Sequence, residues 1–158
     1  MRILACCLFA AILACGSSIA PAQETGTILK HDLKWSSKIP VDKTYEQFTD
    51  AEKAELRSLY KSLGPDDEPP FPLEGMKPIF SALKDAQRIL KARGELNMAV
   101  TVGPDGKATR VEDFGGVRDI QMTELAQQVL LLTKYKPGMC SGTPCAMMFP
   151  FRLQLKSS

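Results

Sequence analysis

Cys140 and Cys145 are the closest approach to a reactive pair in this 158-residue chain. They enclose Ser141-Gly142-Thr143-Pro144. Thiol–disulfide catalysts use a Cys-x-x-Cys spacing that lowers the attacking thiol's pKa, and this longer spacer departs from it. A structural disulfide is the reading that fits an even pair in an exported chain; free thiols and redox chemistry are its alternatives. The chain-entropy relation gives so short a loop about 2 kcal/mol, enough to pin a turn rather than hold a fold. His31 is the one histidine, set between Lys30 and Asp32, so no second imidazole stands ready to share a metal or a proton with it. No Ser-His-Asp set, phosphate loop, metal spacing or carboxylate pair is legible. No residue is therefore assigned a catalytic, cofactor-binding or metal-binding role.

The other three cysteines belong to the N-terminus. Arg2 precedes the uncharged, largely apolar run from Ile3 to Cys15, and Ala20-Pro21-Ala22 is a small-x-small cleavage site ahead of Gln23. Residues 1–22 are thus expected to be an export signal cut between Ala22 and Gln23. The run is short for a membrane-spanning helix, which needs roughly 20 apolar residues. Ile12-Leu13-Ala14-Cys15 also has the form of a lipoprotein signal, with Cys15 as the lipidated residue. Soluble export and lipidation both remain open, and a lipid on Cys15 is the expected means of any membrane attachment. The whole chain carries a formal charge of +2, and losing Arg2 brings it closer to neutral. Such a balance leaves no footprint for nucleic acid.

The remaining chain reads as an arm, a short helix and a connector over residues 23–76, then a domain over 77–158 led by its own helix. Leu29, Leu33 and Trp35 suit a short strand or an arm laid on the domain. Thr49-Asp50-Ala51-Glu52 is a capping box. Leu56, Leu59, Tyr60 and Leu63 follow as one helical stripe, closed by Gly64-Pro65. Gly64 to Pro72 is rich in proline and reads as a connector, with peptide recognition as the alternative. Pro78 suits N1 of a second helix whose stripe is Ile79, Leu83, Ala86 and Leu90, with Gly94 as its C′ residue.

Beyond it, Leu96, Met98, Val100 and Val102 alternate with Asn97, Ala99 and Thr101 along a strand. Gly103-Pro104-Asp105-Gly106 turns the chain into a partner strand from about Lys107 to Phe114, which Gly115-Gly116 breaks. A helix is expected over about Ile120 to Thr133, its buried face formed by Leu125, Val129 and Leu132 with Met122 in register and Leu130 and Leu131 widening it. The last strand spans about Ala146 to Lys156. Met147, Phe149, Phe151, Leu153 and Leu155 line its core face; Met148, Pro150, Arg152, Gln154 and Lys156 line the other. The expected fold class is α+β: a small three-stranded antiparallel sheet in β-β-α-β order with a crossing helix, preceded by two N-terminal helices.

This order of motifs resembles the TonB C-terminal domain family. The resemblance rests on Gly94 and its strand, Asp105-Gly106-Lys107, Leu125-Ala126, Tyr135-Lys136-Pro137, Gly142-Thr143-Pro144 and Phe149-Pro150-Phe151-Arg152-Leu153, with a looser echo at Pro69-Pro70-Phe71-Pro72. It covers roughly residues 94–155. Thr133 stands where the family usually has a tryptophan, and neither the usual membrane anchor nor the proline-rich spacer is legible. The resemblance implies a transport-related, periplasmic recognition module of a Gram-negative cell envelope that binds a short receptor peptide.

Independently, Pro150 has no N–H and should turn that side of its strand to a free edge. Met148, Pro150, Arg152 and Gln154 then form a candidate peptide-binding edge for strand addition by an envelope partner. Protection of the edge from aggregation is the plainer role for the proline. The expected function is accordingly a non-enzymatic interaction module without cofactors. A structural lipoprotein subunit and a small exported enzyme are the alternatives, and a strand-exchanged homodimer is a further state open to such edges.

Overall fold

The computed structural model describes residues 39–156. The export signal, Cys15, the Ala22–Gln23 cleavage site, His31 and the Leu29–Trp35 arm lie outside the described residues. The described chain is mixed α+β, with three α-helices and antiparallel sheets.

After a 3-10 turn at Tyr45–Gln47, α1 covers Asp50–Arg57. Its capping box forms as the sequence implies: Glu52 N donates to Thr49 Oγ1 at 3.3 Å and Thr49 N donates to Glu52 Oε2 at 2.7 Å. Lys43 Nζ, 2.7 Å from Glu52 Oε1, holds that carboxyl below its ordinary pKa. The helix stops six residues short of the apolar stripe's end at Leu63. Arg57 explains the stop. Its guanidinium donates to the carbonyls of Asp67 and Gly64, the latter at 2.6 Å, and so folds the following loop back onto the helix end. Leu59 reaches the core from a turn and Tyr60 from a bridge position just after it, instead of from a helix.

The proline-rich stretch is more than a connector. Phe71–Pro72 forms β1, paired antiparallel with β4 at Tyr135–Lys136. Phe71 is fully buried, its ring 4.9 Å from Phe48 and 5.9 Å from Phe149. Residues on both sides of position 76 thus share one apolar core.

Helix α2 covers Lys77–Leu90 and packs Ile79, Leu83 and Ala86 inward. Pro78 sits one residue past the expected N1. The left-handed residue that ends this helix is Lys91, with φ 56°, rather than Gly94. Gly94 instead opens β2 (Gly94–Val102), which pairs with β3 (Ala108–Asp113). In the turn between them Gly106 takes φ 77°, and Lys107 N donates to Asp105 Oδ1.

Helix α3 (Ile120–Leu132) presents Met122, Ala126 and Leu130 to the sheet. This corrects the expected face: Leu125 and Val129 are at its margin, and Leu132 is 84% exposed. Two short strands follow β4, β5 at Gly138–Cys140 and β6 at Thr143–Cys145, paired as a hairpin. The last strand, β7, spans Met147–Leu155 and lies beside β2, giving the sheet order β3-β2-β7. Its odd residues join Leu96, Met98, Val100 and Val102 under α2 and α3, where Phe80 meets Phe151 at 5.9 Å. The short pairings β1–β4 and β5–β6 were not anticipated, so this arrangement is richer than the expected β-β-α-β order.

Candidate functional site

β7 ends its sheet. Among the described residues, no strand pairs with its outer side. The direction of its backbone follows from one hydrogen bond on the far side of β2. Phe114 N donates to Asn97 O at 2.9 Å, so the peptide groups of Asn97, Ala99 and Thr101 point toward β3. Those of Leu96, Met98, Val100 and Val102 then point toward β7, because successive residues of a strand alternate. The register pairs these with Leu153, Phe151, Phe149 and Met147. The backbone groups of Met148, Pro150, Arg152 and Gln154 are left facing outward. Pro150 thus puts its missing N–H where no ladder bond is lost.

All four candidate edge residues share the sheet face opposite the helices, but they differ in exposure. Gln154 is exposed and its Nε2 donates to Gly94 O at 3.0 Å. Met148 is half-buried and Pro150 is buried. Arg152 is also half-buried; its Nε is shielded from solvent, lies 3.4 Å from Glu95 Oε1, and makes no hydrogen bond among the described residues. The sequence pattern located these residues on one face but gave no sign that Pro150 would be covered.

The Cys140 and Cys145 sulfurs are at bonding distance and close the β5–β6 hairpin. Asp67 ties that hairpin to the α1 loop: its Oδ1 accepts from Ser141 N at 2.9 Å and its Oδ2 from Gly64 N at 2.8 Å. A bridge between Glu68 and Met139 runs alongside. The pair is built into the loop as a staple.

Three tyrosines have raised pKa values, each mainly because burial disfavours the phenolate. Tyr45 is pushed up to about 12, with the nearby Glu68 charge adding to the effect. Lys136 sits over its ring at 4.4 Å from the centroid and pairs with Glu68 Oε2 at 2.7 Å. Tyr135 donates to Leu130 O at 3.0 Å, and Tyr60 is wholly enclosed. A shallow groove of about 310 Å³ between α2 and α3 is lined by Ala86, Ile89, Leu90, Leu125 and polar residues of α3. Among the described residues, no group of three or more His, Cys, Asp or Glu side chains is placed to hold a metal ion. No helix among them is long and apolar enough to cross a membrane.

No family model matches the chain, and neither do any curated protein or solved structure.

Proposed function

We propose that this protein is an exported, periplasmic interaction module of the TonB C-terminal type, in which β2, β3, α3 and β7 form the β-β-α-β unit. It binds an extended segment of an envelope partner by strand addition along β7. One observation carries the reading: among the described residues β7 is the terminal strand of its sheet, and its register turns Met148, Pro150, Arg152 and Gln154 outward. An incoming strand finds three N–H donors and four carbonyls there, with the gap at Pro150 placing a constraint on register. Each such bond contributes about 0.5–1.5 kcal/mol net, so a handful supports affinity no tighter than micromolar, near 8 kcal/mol. The periplasmic location rests on the N-terminal signal pattern, and the absence of a catalytic role rests on the absence of a legible constellation.

A photo-crosslinking residue at Met148 in intact cells tests the reading. A specific envelope protein should be captured, and Arg152→Pro should weaken capture at least tenfold while the domain stays folded. Capture unchanged by Arg152→Pro would place binding on another surface. Capture of a second copy of this chain would make β7 a self-association edge.

A further inference from the structure

Lys77, Phe80, Lys84 and Gln87 of α2, with its cap residue Lys91, follow one another at three- and four-residue intervals. They therefore share one flank of the helix. That flank is turned away from α3, which α2 meets through Pro78, Ala86 and Ile89. Because α3 packs on the β3 side of the sheet, the far flank of α2 lies on the β7 side. Two contacts fix it there. The Phe80 ring is 5.9 Å from that of Phe151, and Gln87 Nε2 donates to Lys156 O at 2.6 Å. Phe80 and Gln87 are half-buried, whereas Lys77, Lys84 and Lys91 are exposed.

The flank carries charge of one sign. Among the described residues none of its three ammonium groups is in an ion pair. Asp85 is the one carboxylate of α2, and Arg88 holds it at 2.8 Å. Glu95, on the other face of the sheet, lies 3.4 Å from Arg152. Lys156, just past the end of β7, is exposed and adds a further cation. At about 1.5 Å per residue the stripe from Lys77 to Lys91 runs roughly 21 Å. That is the length of roughly six residues of extended strand.

A strand added outside β7 turns alternate side chains to the helix side of the sheet, where this flank stands over the edge. We infer that the segment received along β7 is acidic on one face, with Asp or Glu at alternate positions that turn toward α2 and pair with Lys77, Lys84 and Lys91. The inference rests on the strand-addition reading and names the chemistry of the partner. Backbone pairing takes any extended sequence; the lysines supply the choice among sequences and favour rapid encounter with an acidic one. Exposed ion pairs are individually weak, and three of them together give a preference of about tenfold. Two copies meeting edge to edge along β7 would bring two such flanks together, so the same charges disfavour self-pairing and favour a foreign, acidic strand.

Dye-labelled peptides as long as β7 test this by fluorescence anisotropy. Their odd positions are threonine and valine; their even positions are all glutamate, all glutamine or all lysine. The glutamate peptide should bind about tenfold more tightly than the glutamine peptide, and the lysine peptide most weakly. The gap should close in the combined variant Lys77→Gln, Lys84→Gln and Lys91→Gln, and should narrow as salt is raised. Gln154→Pro removes an outward N–H without changing charge and should weaken all three peptides alike. Equal affinities for the three, all weakened by Gln154→Pro, would overturn the inference and leave strand addition standing. A glutamate preference unchanged by the three lysine substitutions would overturn it too, since the acids would then face Arg152. Binding indifferent to Gln154→Pro, or no binding by any peptide, would overturn the strand-addition reading and this inference with it.

Discussion

Proline placed at Leu153 and at Gln154 should have opposite consequences, although the two residues are adjacent in β7. Leu153 pairs with Leu96, and its N–H faces the β2 ladder; Gln154 turns its N–H outward. Leu153→Pro removes a ladder bond and leaves the Leu96 carbonyl short of its donor, a cost of about 1–3 kcal/mol. Loss of part of a half-buried side chain adds about 0.8 kcal/mol per methylene. The total is about 3 kcal/mol. Gln154→Pro loses the side-chain bond to Gly94 O, about 1 kcal/mol, and recovers about 0.4–1 kcal/mol because proline restricts the unfolded chain. Urea unfolding is the assay. With a slope of about 1.5 kcal/mol/M, Leu153→Pro should lower the midpoint by about 2 M and Gln154→Pro by well under 1 M. Coincident midpoints, or a larger loss at Gln154, would mean that the outward set of residues has been assigned to the wrong parity.

Three further outcomes are expected. Gly106→Ala should destabilise the protein by more than about 1 kcal/mol in the same urea assay, because its φ of 77° disfavours any Cβ and the new methyl would meet the Tyr135 carbonyl. Mass spectrometry of the exported protein without reductant should find the Cys140–Cys145 segment lighter by two hydrogen atoms than with free thiols, and replacing both with serine should cost about 2 kcal/mol. The tyrosine shifts make stability fall with alkalinity: the folded Tyr45 keeps its proton up to about pH 12, the unfolded one only to about 10, so its contribution is intact below pH 10 and is lost as pH rises from 10 through 12. Tyr45→Phe should flatten that decline in urea titrations across the window, and an unchanged slope would refute the assignment.

The strands were the legible part of this fold. Apart from Ala99, β2 alternates apolar and polar residues, as β7 does from Phe151 to Leu155, and a period of two admits one buried face. The end of α1 was not legible, because the stripe continues through Leu63 while the stop comes from Arg57 gathering carbonyls of Gly64 and Asp67. α3 misled for a different reason: Leu130-Leu131-Leu132 is a run that fits several helical faces, and contact with the sheet selects Leu130 while leaving Leu132 in water. β1 and β4 have two residues each, too few to show any period. At the candidate edge, proline chemistry was enough to orient the backbone of β7. The burial of Pro150 and Ala99 was beyond reach, because it depends on what lies over a face and not on the pattern of the strand itself.

The ring sequence Phe48, Phe71, Phe149 and Tyr135 has a practical consequence for anyone trimming this protein. Starting a shortened version at the head of α2 would amputate Phe48 and Phe71 and strip β4 of its hydrogen-bonded neighbour. The fragment would expose the rings of Phe149 and Tyr135, an open invitation to clump. A fragment meant for binding studies should therefore begin upstream of Ile39, however tidy the later boundary looks on paper.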